Sequence, residues 1–295
     1  MKKLAPIFVI IAAALWGVDG IILTPALFGL PVTLVVFVES GIVAFLLSFI
    51  FYKRLPEIKR LSKKEWLAFG GVALFGGAIG TMAITKALFF VNYVNLSVVI
   101  LIQKLQPVFA LALAGIILKE RLPKIFFLWA LIAVIGAYFM TFGLSLPNLF
   151  TGNKTAIAAA LSLIAAISFS SSTVFSKLGL KNISYELGTY IRFLFSAIIM
   201  LILVLSFGDL LSFANITSIQ WMVFFIIAFT TGGAAIFLYY FGLKKISASI
   251  ATICELAFPL TAVILDYFVH GTVLSLVQWF GVALLIFSIV KVSQL

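Results

Sequence analysis

The sequence predicts an all-α membrane protein in which ten transmembrane helices form two inverted five-helix repeats. Ten apolar stretches run along the 295-residue chain, and each is about 20 residues long, the length a helix needs to cross a bilayer core. Lys and Arg gather in every second gap between these stretches. The two halves of the chain also carry matching residues at a nearly constant offset. Length, charge and repetition therefore indicate one architecture.

The apolar stretches define the expected helices. A chain that is 64% hydrophobic and 10% charged has more apolar surface than a soluble domain of this length can bury. The stretches are apolar on all sides, whereas the strands of a membrane β-barrel alternate with polar positions. We therefore expect helices at 5–27, 31–52, 66–90, 94–118, 123–142, 155–178, 185–206, 219–242, 246–269 and 274–293.

The positions of Lys and Arg predict the orientation in the membrane. They cluster at 53–64, 119–124, 177–181 and 244–245, whereas the alternate gaps contain only Lys154. Because cytoplasmic loops are enriched in basic residues, both termini should lie in the cytoplasm of a bacterial inner membrane. The net charge of +11 then reflects topology and contact with anionic lipids, and no nucleic-acid partner is expected.

The first apolar stretch follows two lysines, as in a secretory signal peptide. It is longer than the apolar core of roughly 7–15 residues found in such signals, and no small-residue cleavage site follows it. We expect it to remain as the first transmembrane helix.

Matching residues divide the chain into repeats. Pro107 and Pro259 lie 152 residues apart, each in the fourth helix of its half, and a polar residue precedes each by one turn, Gln103 and Glu255 respectively. The expected units are residues 1–142 and 155–295, joined by a linker at 143–154. Five spans is an odd number, so the second unit must enter the membrane upside down. Inverted repeats of this kind are typical of secondary transporters.

Ionisable residues at membrane depth mark candidate functional positions, because each costs about 2.5–3.5 kcal/mol at the helix centre. Glu255 and Asp19 could carry a proton or hold an amine. Structural roles are the alternatives, with Glu255 paired to Lys104 and Asp19 paired to Lys86. The full set is Asp19, Glu39, Lys86, Lys104, Arg192, Glu255 and Asp266.

Two further features bear on the site. Lys104 stands between Gln103 and Gln106, and a lysine at this depth suits a carboxylate or a phosphate. Glu39 and Arg192 hold equivalent places in the two halves, which favours a structural role.

Pro107 and Pro259 are expected helix kinks. A proline frees a backbone carbonyl one turn earlier, and a cargo in a cavity could contact that carbonyl. A kink that serves packing alone is the alternative.

Several types of chemistry find no support in the sequence. There is no nucleotide-binding loop and no nucleophile constellation, so neither ATP-driven transport nor a cofactor is expected. His270 has no second ligand at metal spacing, so we expect no metal site. A membrane-embedded enzyme acting on lipid head groups would need a polar cluster near an interface, where only His270 stands.

The chain resembles the drug/metabolite transporter superfamily, in particular its ten-helix EamA-type members. The resemblance rests on ALWGVDGIIL, on residues 95–122 ending in Glu120-Arg121-Leu122, on SFSSSTVFSKLGL and on the segment GLKKISASIATICELAFPLTAVILDYF. The second half departs from the pattern, with Gly271-Thr272-Val273 in place of the final Glu-Arg-Leu.

The resemblance implies a cavity between helices 1, 3, 4, 6, 8 and 9 that opens alternately to each side. Members of the superfamily move amino acids, other small metabolites, amines and drugs, and relatives carry nucleotide sugars and phosphorylated sugars. By position, the expected cavity-lining residues are Trp16, Asp19, Lys86, Gln103, Lys104, Tyr239, Tyr240 and Glu255.

The predicted function is secondary active transport of a small polar metabolite by alternating access, without enzymatic activity. Asp19 and Glu255 opposite Lys104 favour a zwitterion such as an amino acid, and proton coupling through Glu255 or Asp19 is a hypothesis. A cationic amine or drug, and a phosphorylated or nucleotide-linked metabolite, remain alternatives. Expected partners are the substrate and membrane lipids, with the protein as monomer or homodimer.

Overall fold

The computed structural model describes residues 4–90, 99, 102–103, 105–146, 153–271 and 273–295. Across these residues the chain is helical and contains no strand, which confirms the predicted fold class. Among the described residues, nine helices are long and apolar enough to cross a membrane, and a shorter apolar helix stands at the fourth position. The expected beginning of that fourth helix, at 94, lies outside the described residues.

The ten membrane helices are numbered in chain order. They are α1 Ala5–Leu27, α2 Val32–Ile50, α3 Lys63–Phe90, α4 Gln106–Leu118, α5 Lys124–Phe142, α6 Asn153–Gly179, α7 Tyr185–Phe207, α8 Ser218–Leu243, α9 Ala248–Cys254 with Ala257–His270, and α10 Leu276–Ser293. Short 3₁₀ segments, Tyr52–Arg60 and Asp209–Asn215, connect α2 to α3 and α7 to α8.

The packing of the helices is two-fold symmetric. Helix α5 packs against α10, and α2 packs against α7, so each of these helices meets its own counterpart from the other half. Helix α1 packs against α8 and α9, while α6 packs against α3 and α4. Exchanging the halves converts the second set of contacts into the first, as expected for two related units facing each other.

Equivalent helices also begin in the same way. Ser62 and Glu65 form a capping box at the start of α3, and Thr217 and Gln220 form one at the start of α8. In each box a hydroxyl and a longer polar side chain satisfy backbone N–H groups that the first turn leaves unpaired. These caps define where each apolar helix starts.

A carboxylate from the first half caps a helix of the second half. Helix α4 ends at Leu118, and its C-cap residue Lys119 adopts a left-handed conformation with φ of 55°. The next residue, Glu120, accepts hydrogen bonds from Ala248 N at 2.8 Å, Ser249 N at 3.1 Å and Ser249 Oγ at 2.5 Å. A negative charge at a helix N-terminus is stabilised by the unpaired N–H groups and the helix dipole. Glu120 therefore ties the α4–α5 link to the start of α9.

Four membrane helices contain wider, π-helical turns in their interiors or at one end. These turns cover Asp19–Leu23 in α1, Val72–Gly80 in α3, Ala114–Leu118 in α4 and Ala228–Gly232 in α8. Such turns disturb the regular backbone bonding and are frequent at functional sites. Three of them contribute residues to the central cavity described below.

The two prolines stand where regular helix is interrupted. In α9, Phe258 N donates to Glu255 O at 2.9 Å, a contact one residue shorter than an α-helical bond, directly before Pro259. In α4, the described α-helical run begins at Gln106, next to Pro107. Proline lacks an N–H and crowds the carbonyl four residues earlier, which accounts for the interruption.

Glycines allow α3 to approach α6 and α7 closely. A Cβ placed on Gly77 would lie 1.8 Å from Ser196 Oγ, and one placed on Gly76 would lie 2.2 Å from Ser172 Oγ. Neither distance is compatible with van der Waals contact. The α3 backbone therefore packs directly on hydroxyl-bearing positions of two helices from the other half.

Candidate functional site

A cavity of about 370 Å³ lies between the two halves. Eight helices line it, and only α5 and α10 contribute none of the described lining residues. Besides the six helices expected from the resemblance, α2 and α7 provide side chains to the cavity. The lining is mostly apolar, so its few polar groups define what the cavity can bind.

Glu255 lies at the interruption of α9 and is held by neutral donors from three other helices. Tyr239 of α8 donates its hydroxyl to Glu255 Oε1 at 2.6 Å, and Thr173 of α6 donates to the same oxygen at 3.4 Å. The Gln106 amide of α4 donates to Oε2 at 2.8 Å. The carboxyl group is therefore fixed in position without a direct cationic partner in the described part of the chain.

Aromatic rings form one wall of the cavity. The rings of Trp16 and Tyr239 lie with centroids 5.3 Å apart and planes tilted by 55°. Phe169 and Phe258 line the same space. Such a wall suits a flat, apolar part of a ligand, since offset and tilted aromatic contacts are favourable.

Arg192 of α7 brings a positive charge to the cavity. Its guanidinium lies 3.5 Å from the Tyr240 hydroxyl and 5.9 Å from the centroid of that ring. Within the described ranges, Arg192 forms no ion pair with a carboxylate. Arg192 and Glu255 line the same cavity.

Two carboxyl groups occupy another part of the cavity wall. Asp19 is the first residue of the π-helical turn in α1, and Glu39 of α2 lines the same cavity. Thr24 and Thr231 lie beside Asp19. Asp19 Oδ1 is buried and has no hydrogen-bond partner among the described residues.

Three buried hydroxyl groups that line the cavity also lack partners in the described part of the protein. They belong to Ser172 of α6, Thr231 of α8 and Thr252 of α9, whose exposures are 3%, 2% and 1%. Buried polar groups in proteins are nearly always hydrogen-bonded, so unpaired ones need an explanation. Their shared position suits a ligand that supplies several hydrogen-bonding groups.

Five of the residues predicted to line the cavity do so: Trp16, Asp19, Gln103, Tyr239 and Glu255. Gln103 is oriented by a 3.3 Å hydrogen bond from its amide to Ser162 O in α6. Lys104 lies outside the described residues, and so does its predicted pair with Glu255.

The structure corrects two placements. Lys86 is exposed and lines a surface groove beside Phe28 and Phe89. Its predicted ion pair with Asp19 is not formed among the described residues. Tyr240 is fully buried, and its hydroxyl contacts Ser176 Oγ at 2.8 Å. Neighbouring residues on a helix point about 100° apart, so only Tyr239 of the two tyrosines faces the cavity.

Sequence reasoning undervalued other members of the site. Glu39 and Arg192 were expected to be structural, yet both line the cavity. The unpaired hydroxyls of Ser172, Thr231 and Thr252 were not singled out at all. In the sequence, these residues are recognisable only as hydroxyl side chains within apolar helices. Such hydroxyls usually bond to the carbonyl four residues earlier in the same helix, so the sequence gives little indication that they line a cavity.

Comparison with known proteins identifies relatives over the full length of the chain. A family model described as the EamA-like transporter family matches residues 3–142 and 156–294. A protein of Fusobacterium nucleatum subsp. nucleatum named riboflavin transporter ImpX is 45% identical over 293 residues, covering 98% of this chain and 97% of that protein.

Two more distant similarities agree with this result. An uncharacterized transporter of Synechocystis sp. is 25% identical over 242 residues, covering 79% of this chain and 67% of its own length. A protein of known crystal structure superposes with a TM-score of 0.74 at 16% identity, covering 97% of this chain and 94% of that one. This last similarity supports the fold alone.

Proposed function

We propose, from the premise that the chain belongs to the EamA-like transporter family, that it carries riboflavin or a closely similar vitamin across the membrane by alternating access. The observation that carries this proposal is the cavity, which joins an aromatic wall to three buried hydroxyls without protein partners in the described ranges. The riboflavin transporter of Fusobacterium nucleatum supports the same substrate class.

Riboflavin has two chemically different parts, and the cavity offers different groups to each. Its flat ring system suits the wall formed by Trp16 and Tyr239. Its flexible chain carries hydroxyl groups, which could pair with the hydroxyls of Ser172, Thr231 and Thr252. Filling both sets of contacts together would distinguish riboflavin from a bare ring and from a bare polyol.

The polar edge of the ring system carries both N–H and C=O groups. The carboxylate of Glu255 accepts hydrogen bonds, the Gln106 amide both donates and accepts them, and Arg192 donates them. Because these groups line the same cavity, they could form hydrogen bonds with the polar edge while the aromatic wall packs against the ring system.

An amino-acid cargo receives no comparable support. That prediction depended on Lys104 as the positive partner of Asp19 and Glu255, and Lys104 lies outside the described residues. The relative from Fusobacterium nucleatum, whose name states a substrate, is named as a transporter of riboflavin, a vitamin. Membership of a transporter family likewise favours a carrier over a lipid-modifying enzyme.

Alternating access fits the two-fold packing of the halves. Contacts of α1 with α8 and α9 are equivalent to contacts of α6 with α3 and α4. If one set loosens while the other tightens, the cavity changes the side on which it opens. Pairs of related contacts are the feature that inverted-repeat transporters use for this exchange.

Uptake of riboflavin by the purified protein in lipid vesicles tests the proposal. We expect saturable riboflavin uptake that an excess of unlabelled riboflavin suppresses, and weaker suppression by ribitol or by a flavin ring without its polyol chain. Trp16→Phe should weaken uptake, whereas Trp279→Phe, on the exposed surface of α10, should not. Failure of riboflavin both to enter the vesicles and to stabilise the protein against heat would refute the proposed substrate.

A further inference from the structure

Two polar groups of the cavity lie side by side where α3 meets α6 and α7. A Cβ placed on Gly76 of α3 would lie 2.2 Å from Ser172 Oγ of α6 and 3.5 Å from Arg192 Nη2 of α7. The hydroxyl and the guanidinium therefore lie within 3.5 Å of a single point, and Gly76 has no side chain to separate them. Ser172 and Arg192 both line the cavity. We call this place, formed by Gly76, Ser172 and Arg192, the Arg192 corner.

The hydroxyl of the Arg192 corner has no partner in the described part of the protein. Ser172 is only 3% exposed, and its Oγ forms no hydrogen bond with a described residue. The next residue of α6, Thr173, differs, because its hydroxyl contacts Tyr239 and Glu255. Buried polar groups are nearly always paired, so Ser172 Oγ is available to a ligand that reaches this part of the cavity.

The guanidinium of the corner has donors that no described residue uses. A guanidinium presents several N–H groups in a planar fork. The described hydrogen bond of Arg192 goes to the Tyr240 hydroxyl at 3.5 Å, beyond the usual range of about 2.7–3.2 Å. That hydroxyl lies closer to Ser176 Oγ, at 2.8 Å. Among the described residues, no carboxylate forms an ion pair with Arg192. The corner therefore offers a positive charge together with unused donors.

These groups match the chemistry of a phosphate. The fork of a guanidinium donates parallel hydrogen bonds to phosphate oxygens, and a hydroxyl can donate to a further oxygen. Ser196 stands one turn after Arg192 on α7 and also lines the cavity, so a second hydroxyl lies on the same helix face. An ionised phosphate has only acceptor oxygens and carries the negative charge that Arg192 lacks as a partner. A neutral cargo would leave this charge uncompensated.

The proposed cargo has a place for such a group. Under the proposed function, the polyol chain of riboflavin pairs with hydroxyl groups that include Ser172. Arg192 lies beside Ser172. The end of a chain that reaches Ser172 therefore comes close to the guanidinium, and a phosphate ester can be carried at that end. Glu255 and Gln106 remain available to the polar edge of the ring system.

We propose that the Arg192 corner is a phosphate-binding subsite, and that the carrier accepts riboflavin phosphate, the ester at the end of the polyol chain, as well as riboflavin. Arg192 and Ser172 donate hydrogen bonds to the phosphate oxygens, and no covalent bond of the cargo changes. This inference rests on the proposed function for the flavin ring and the chain. The subsite itself rests on the contacts of the corner.

Equilibrium binding to the purified protein tests the subsite. Asp19, Glu39 and Glu255 also line the cavity and repel an anion, so without a phosphate subsite riboflavin phosphate should bind much more weakly than riboflavin. We expect riboflavin phosphate to bind at least as tightly as riboflavin, as measured by quenching of flavin fluorescence. Arg192→Gln should weaken binding of the phosphate ester about tenfold more than binding of riboflavin, because it removes charge-assisted hydrogen bonds.

Two further variants complete this test. Arg60→Gln removes an exposed positive charge from the α2–α3 link and should leave the ratio of the two affinities unchanged. Ser172→Ala removes a hydroxyl without a described partner, so it should fold. It should weaken binding of riboflavin phosphate more than binding of riboflavin, since hydrogen bonds to charged groups are the stronger ones.

Either of two results would overturn the proposal. The first is riboflavin phosphate that binds more weakly than riboflavin to the unaltered protein. The second is an affinity ratio that Arg192→Gln does not change. If Arg192→Gln does not fold, an unchanged ratio in Ser172→Ala has the same meaning.

A measurement without a flavin separates this inference from the proposed substrate. Ribitol phosphate should raise the unfolding temperature of the unaltered protein more than ribitol does, because a ligand that binds the folded state stabilises it. Arg192→Gln should remove this difference. If the difference is found but riboflavin is not carried, the proposed substrate fails and the subsite stands. If riboflavin is carried but ribitol phosphate stabilises the protein no more than ribitol, the subsite fails and the proposed function stands.

Discussion

At the scale of single residues, the cavity contains two kinds of polar group. Some, such as Glu255, have several protein partners, whereas others, such as Thr252, have none in the described part of the chain. The first kind is positioned before a ligand arrives. The second kind is available to form hydrogen bonds with water or with a ligand that enters the cavity. Substitutions of the two kinds should therefore affect stability and binding differently.

Replacing Thr252 by Val should leave thermal stability unchanged or raise it, because it removes a buried hydroxyl that has no described protein partner. Riboflavin should bind more weakly to this variant, by about tenfold if one hydrogen bond to the ligand is lost. Quenching of flavin fluorescence measures the binding, and thermal denaturation in detergent measures the stability.

Thr189→Val is the matched control for this prediction. Thr189 is equally buried in α7, but its hydroxyl donates to Tyr185 O at 2.8 Å and it does not line the cavity. Its replacement should leave riboflavin affinity unchanged. If both threonine variants bound riboflavin like the unaltered protein, the ligand role of Thr252 would be wrong.

Replacing Glu255 by Gln should weaken riboflavin binding about tenfold or more, because hydrogen bonds to a charged group contribute about 1.5–3 kcal/mol each. In the unaltered protein, the two Glu255 oxygens accept hydrogen bonds from the Tyr239 hydroxyl and the Gln106 amide. The new glutamine replaces one of these accepting oxygens with an NH₂ group, which cannot accept. Equilibrium binding followed by flavin fluorescence measures the loss. An unchanged affinity would show that Glu255 does not face the substrate.

At the scale of helices, close packing between the halves depends on α3. The absence of a side chain at Gly77 lets its backbone meet Ser196 of α7, and this contact lies at the edge of the cavity. Interiors packed to this density tolerate added atoms poorly. If the cavity opens alternately to each side as proposed, this contact must also permit that movement.

Gly77→Ala should destabilise the protein by about 1–3 kcal/mol, because the new methyl group would overlap Ser196. Gly41→Ala in α2 is the control, since no atom lies within 4 Å of a Cβ at that position. Thermal denaturation of the purified variants should show a lower transition for the first alone. Adding Ser196→Gly to Gly77→Ala should restore stability, and a double variant no better than the single one would contradict the steric explanation.

The cap on α9 gives a second prediction at this scale. Glu120→Ala removes all three hydrogen bonds to Ala248 and Ser249 and should cost about 1–2 kcal/mol. Glu57→Ala removes an exposed carboxylate and should cost less than about 0.5 kcal/mol. Thermal denaturation of the two variants measures these costs. Equal transition temperatures for Glu120→Ala and Glu57→Ala would show that the cap does not stabilise the fold.

At the scale of the whole molecule, the orientation in the membrane can be tested at the two 3₁₀ links. One link joins α2 to α3 and the other joins α7 to α8. The pattern of basic residues predicts that they lie on opposite sides of the membrane. The chain's only cysteine, Cys254, is buried and can be replaced before labelling sites are introduced. A membrane-impermeant thiol reagent should label Ser212→Cys in intact cells. It should label Lys59→Cys only after the membrane is opened. Labelling of both positions in intact cells would contradict the predicted orientation.

The sequence predicted the helices better than it predicted which way their polar residues face. Length and hydropathy indicate which segments can cross a membrane, so the nine long apolar helices of the described residues followed from them. These helices are apolar all round, and such helices give little indication of their rotation. Packing between the halves sets that rotation, and it sends Lys86 outwards, Tyr240 into the core and Glu39 into the cavity.

The Glu120 cap also distinguishes the two faces of an otherwise symmetric carrier. It joins the α4–α5 link to the start of α9, and the basic residues predict that this junction lies on the cytoplasmic side. The corresponding segment of the second half reads Gly271-Thr272-Val273 and has no carboxylate to repeat the bond. Under the proposed alternating access, the Glu120 hydrogen bonds would stabilise the state in which the cytoplasmic side is closed, and the other side would have no equivalent bonds. Without cargo, the protein should then favour the state that opens away from the cytoplasm.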